Sequence, residues 1–115
     1  MDSVYQQIAK SSSNKNNVVQ ILQDWEQIKL FKFPLGESPY CFRIGITDEW
    51  GLSVSFFAGA SSCNFEASLV DLVTGKLSDN KEWGYDNRNG GLKFFSSIDE
   101  LKDELLKLHK LVSSQ

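Results

Sequence analysis

One histidine, His109, and two cysteines, Cys41 and Cys63, are all the imidazole and thiol that this 115-residue chain offers for ligating zinc or for activating or serving as a nucleophile. A Ser–His–Asp or Cys–His arrangement needs its histidine beside a nucleophile, and no signature ties His109 to either cysteine. A zinc site needs more imidazole or thiolate than this. The cysteines have no C-x-x-C spacing and are too few for a disulfide framework, so they are expected as two half-buried thiols in a reducing compartment. Phosphate cradles are missing as well. There is no G-x-x-x-x-G-K-[ST], and Gly84, Gly90 and Gly91 do not make a G-x-G-x-x-G. DNRNGG begins like a calcium loop, but Ser97 stands where the closing acid belongs. Neither a cofactor nor a metal is expected.

No window approaches about 18 consecutive apolar residues, so no membrane span is expected. MDSVYQQIAK, with an acid at position 2 and no apolar run, does not read as a signal peptide, and the expected compartment is cytoplasmic. A basic excess is also lacking. The net charge of −3 argues against direct nucleic-acid binding and gently favours a cationic partner. Lys29 and Lys32 interleave with Phe31 and Phe33 as a small stacking platform would, but an amphipathic strand gives the same pattern. The apolar fraction of 41% is ordinary for a folded chain, and the length suits one domain, residues 1–115.

Hydrophobic periodicity predicts an α+β fold: an antiparallel sheet of four to six strands, two N-terminal helices and one C-terminal helix. Val4, Tyr5 and Ile8 share a helical face, SSSNKNN (11–17) reads as a loop, and Asn17 caps a second helix carrying Val18, Ile21, Leu22, Trp25 and Ile28. KLFKFPL, PYCFRIGIT, LSVSFFAG and FEASLVDLV then alternate as strands do, with Pro34 ending the first. DEWG (48–51) closes a hairpin between the second and third. ASSCN (60–64) breaks the chain, Thr74-Gly75 turns it into KLSD, and GLKFF (91–95) is a short last strand. Short connections imply a meander rather than βαβ units. Ser97 and Glu100 then form a capping box, opening a helix whose seam is Ile98, Leu101, Leu105, Leu108 and Val112. Asp99, Glu100, Asp103 and Glu104 suit the start of that helix. Lys107, His109 and Lys110 suit its end, with His109 opposite the seam.

The stretch EWGYDNRNGG (82–91) stands out. Asn87, Asn89, Gly90 and Gly91 favour a turn before the last strand. Trp83 and Tyr85, two apart, point the same way in an extended segment, with Gly84 opposite. Two readings stay open: both aromatics fill the core, or one stays exposed as an interface anchor rimmed by Glu82, Asp86 and Arg88. Trp50 poses the same choice, since it either folds back onto its hairpin or, beside Asp48 and Glu49, docks on a basic, partly apolar surface. Paired-carboxylate chemistry would have to gather Asp48, Glu49, Glu66, Asp71 and Asp86 in space. A ligand pocket would draw on Tyr40, Phe42, Arg43 and Phe57, with Arg43 clamping an anion. Dimerisation through an edge strand is a third possibility.

The run from FEASLVDLVTGKL to GLKFFSSIDELKDELLKL, with its F-x-S-I-D-E-L entry into a capped helix, resembles small bacterial immunity proteins, which neutralise a cognate toxin domain. The size, acidic balance and absence of catalytic motifs fit that class. The resemblance implies a protein-binding inhibitor rather than an enzyme, with a cationic toxin domain, such as a nuclease, as partner. It transfers no binding residue by position.

Overall fold

A computed structural model describes residues 4–56, 65–86 and 91–113, with side chains from Asn14 onward. Helix α1 (Val4–Gln23) leads through a 3₁₀ turn (Glu26–Leu30) into strands β1 (Lys32–Ser38), β2 (Cys41–Gly45), β3 (Trp50–Phe56) and β4 (Phe65–Asp71). Then come β5 (Lys76–Ser78), a 3₁₀ turn (Lys81–Trp83), β6 (Leu92–Phe95) and helix α2 (Ile98–Ser113). All strand pairings are antiparallel, in the order β1-β2-β3-β4-β5, with β6 also on β4. The α+β class and the antiparallel meander are as expected.

The two N-terminal helices are a correction. Residues 11–17 are helical, so the expected loop is the middle of a single α1. Serine and asparagine cost well under about 1 kcal/mol each in a helix, whereas starting a second helix pays nucleation again. Nothing between Val4 and Gln23 breaks the ladder, since the stretch has neither proline nor glycine. Val18, Val19 and Leu22 anchor its C-terminal half in the core. The helix also stops sooner than its apolar spacing implies. Trp25 is extended, and Ile28 belongs to the 3₁₀ turn that delivers the buried Phe31 to β1.

The sheet has two unlike faces. Phe42 and Ile44 of β2, Leu52, Val54 and Phe56 of β3, and Phe65, Ala67 and Leu69 of β4 point inward. They meet Val18, Val19 and Leu22 from α1 and Leu101, Leu105 and Leu108 from α2 in one core. Both helices therefore lie on the same side. The other face alternates with this one and carries Cys41 and Arg43, then Gly51, Ser53 and Ser55, then Glu66, Ser68 and Val70. Gly51 is required there: a Cβ would lie 2.7 Å from the Ile44 carbonyl oxygen.

His109 differs from its expected place. It is half-buried and packs edge-on against Phe31, with ring centroids 5.6 Å apart. Glu104, expected on a solvated surface, is buried.

Candidate protein-binding surface

β5 and β6 both pair with one edge of β4. Leu69 faces Ser78 and Ser68 faces Leu92, so residues 79–91 are an excursion between two halves of one edge strand. Asn80 organises its base. Its amide and carbonyl exchange hydrogen bonds with Tyr85, at 2.8 and 2.9 Å, and its side-chain oxygen accepts from the Trp83 amide at 3.2 Å. Gly84 closes the turn with φ of 88°, a left-handed geometry that favours glycine.

This turn, not an extended segment, sends both aromatics inward. Trp83 and Tyr85 are 3% and 0% exposed, so the core reading holds for both and neither is an exposed anchor. The Tyr85 hydroxyl donates to Glu104 Oε2 at 2.6 Å, and Lys93 Nζ donates to the same oxygen at 2.6 Å. The ammonium also lies 4.7 Å from the Tyr85 ring centroid. Burial, reinforced by the charge of Glu104 and by the hydrogen bond to it, pushes the Tyr85 phenol far above its ordinary range. Sequence reading missed Glu104 and Lys93 as partners. The legible signal was an acid three residues after Leu101 and four before Leu108, inside the apolar seam of α2.

The hairpin turn supplies the second part. Thr47 Oγ1 accepts from the amides of Glu49 and Trp50, at 3.2 and 3.1 Å, which tightens the turn and starts β3 at Trp50. The Trp50 ring is half-buried and meets Trp83 edge to face, 5.3 Å between centroids and 88° between planes. That contact braces the hairpin turn against the 3₁₀ turn that carries Glu82. Asp48, Glu49 and Glu82 are exposed, and Asp86 is half-buried. Arg88, with Asn87, Asn89 and Gly90, lies outside the described residues. Asp48 pairs with Lys32, and the hydrogen bond and charge of that ammonium hold its carboxyl below the usual range. A cleft of about 320 Å³, lined by Thr47, Asp48, Glu49, Trp50 and Val112, separates this turn from the end of α2.

The alternative pocket is not assembled as expected. Phe42 is sealed in the core, Arg43 is on the opposite face, and Tyr40 is 50% exposed; Phe57 lies outside the described residues. A different cavity of about 310 Å³ lies between α1, the sheet end and the start of α2. It is lined by Asn14, Asn17, Val18, Phe56, Phe65, Ser97 and Ile98, and none of these ionises in the ordinary pH range. The five acids do not all converge: Glu66 and Asp71 occupy opposite ends of β4. Among the described residues, no group of three or more His, Cys, Asp or Glu side chains is placed to hold a metal. No helix there is long and apolar enough to cross a membrane.

Compared with known protein families, curated proteins and solved structures, the chain matches none.

Proposed function

We propose that this domain is a protein-binding inhibitor of the immunity type, which covers the active surface of a cationic toxin domain with its acidic end. One observation carries the reading: the Trp50–Trp83 contact braces the hairpin turn that bears the exposed Asp48 and Glu49 against the segment that bears the exposed Glu82. The indoles act from beneath, as a stiff footing for exposed carboxylates, not as inserted anchors. Carboxylates on a fixed frame steer a basic partner and fix its register without reorganising on contact.

The test begins with the tagged chain in its native cell, where one basic protein is expected at one-to-one stoichiometry with its own activity suppressed. Replacing both Asp48→Lys and Glu49→Lys is then expected to slow association on the order of tenfold and to flatten its salt dependence. Unchanged affinity removes this surface from the site. A complex that leaves the captured protein fully active removes the inhibitor reading.

A further inference from the structure

Both helices pack on one side of the sheet, and among the described residues no helix covers the other. Its open face consists of three rows, read across the strands. One row is Ser38, Cys41, Ser55, Glu66 and Phe94, and the next is Gly36, Arg43, Ser53, Ser68 and Leu92. The third runs through Lys32, Gly45, Gly51, Val70 and Leu77, with Val70 already fully buried. A Cβ built on Gly45 would lie 3.6 Å from both Leu35 Cδ2 and Leu72 Cδ1, which puts these leucines on the same face. The relief is therefore a shallow trough. Gly51, Ser53 and Ser55 of β3 form its floor, and apolar side chains rise at both margins. Leu35 is 44% exposed on one, and Leu77 and Phe94 are 63% and 56% exposed on the other.

The trough also holds two opposite charges. Among the described residues, nothing forms an ion pair with Arg43 or with Glu66. Partial burial between its neighbours already holds the Glu66 carboxyl above its usual range.

We infer that the open face is the interface of a symmetric homodimer, two copies packing sheet on sheet about a twofold axis running close to β3. Such an axis sets β2 of one copy over β4 of the other. Arg43 then lies over Ser68 of the second copy with that copy's Glu66 one row away, about 7 Å along the strand and within reach of an arginine. The pairing occurs twice, as an isologous interface requires. The margin of Leu35 meets the margin of Leu77, while the small residues of β3 let the floors approach. At about 4.8 Å per strand and 3.3 Å per residue, the face spans roughly 500 Å² per copy and about 1,000 Å² in all, the lower bound for a specific interface. A reversible dimer with a dissociation constant on the order of micromolar is the expected strength.

The strand edges offer no comparable surface. β1 carries Pro34 and a break in register between Lys32 and Gly36, and the opposite edge is interrupted by residues 79–91. Dimerisation through an edge strand, weighed from the sequence, is the poorer fit.

Sedimentation velocity on the chain alone, from roughly 0.5 to 500 μM to bracket that constant, decides the matter. The expected result is a concentration-dependent passage from monomer to dimer. Ser53→Arg is expected to hold the chain monomeric with an unchanged circular dichroism spectrum. Arg43→Glu is expected to weaken the dimer at least tenfold, and Arg43→Glu with Glu66→Arg to restore it. A wild-type monomer throughout overturns the inference. So does a folded Ser53→Arg variant that still dimerises, or a charge swap no better than Arg43→Glu alone. Neither this inference nor its test depends on the inhibitor function.

Discussion

Removing the Tyr85 hydroxyl probes how the excursion is held to α2. In Tyr85→Phe the ring still fills its fully buried site, but Glu104 Oε2 loses the 2.6 Å hydrogen bond while keeping the Lys93 ammonium at 2.6 Å. A hydrogen bond to a charged acceptor contributes about 1.5–3 kcal/mol, and the remaining cation places this one in the lower half, about 1.5–2 kcal/mol. For a domain of this size that lowers Tm by roughly 6–8 °C. The pH dependence is more discriminating. Because the folded pKa of Tyr85 is raised, its stabilisation is fully present below the unfolded value near 10 and declines as pH climbs above it. From pH 8 to 11 the advantage of wild type over Tyr85→Phe therefore shrinks by about 1.4 kcal/mol. Urea unfolding followed by circular dichroism at several pH values measures both quantities. A cost below about 0.5 kcal/mol, or a difference that stays constant with pH, would refute the claim that this hydroxyl is buried against a carboxylate.

Two further substitutions test neighbouring elements. Gly84→Ala forces a side chain into φ of 88° and sets its Cβ 2.6 Å from Lys93 Cε. A loss of at least about 1–2 kcal/mol is expected in denaturant unfolding, and a neutral result would contradict the turn geometry. Glu66→Gln acts in the opposite direction under monomeric conditions. Burial raises the folded pKa of Glu66, so its protonated form stabilises the fold below the unfolded value and that contribution is lost as pH rises through the folded one. The glutamine variant should melt higher than wild type at pH 7 and equal to it near about pH 3, below both values. A variant less stable at pH 7 would mean that Glu66 is paired, not desolvated.

Much of the sheet was legible because its strands alternate without ambiguity. Phe42 and Ile44, then Leu52, Val54 and Phe56, occupy the inner face that their period of two assigns them. The capping box was legible for a local reason. Ser97 Oγ accepts from the Glu100 amide at 3.2 Å and the Glu100 carboxylate reaches back to Ser96, all within five residues. SSSNKNN misled because local propensity was weighed without the tertiary anchor that Val18, Val19 and Leu22 provide. The place of Trp83 and Tyr85 was not legible either. It depends on a left-handed glycine and on Glu104, nineteen residues after Tyr85, and no pattern within the loop encodes that distance. Asp48, Glu49 and Glu82 were identifiable as exposed, but the ring contact that ties their two segments together joins residues 50 and 83, and no local pattern encodes it.

The excursion between β5 and β6 leaves and rejoins the sheet almost at one point, as a disposable surface loop would. Yet it carries two of the large side chains that the interior is built around. Shortening it would empty the space beside α2, and lengthening it would shift an indole that braces the neighbouring hairpin. Under the proposed function, a partner that grips Glu82 pulls on the adjoining Trp83, whose ring is seated inside the protein. Affinity at this end and resistance to unfolding should be inherited together, and a variant selected for one will be found altered in the other.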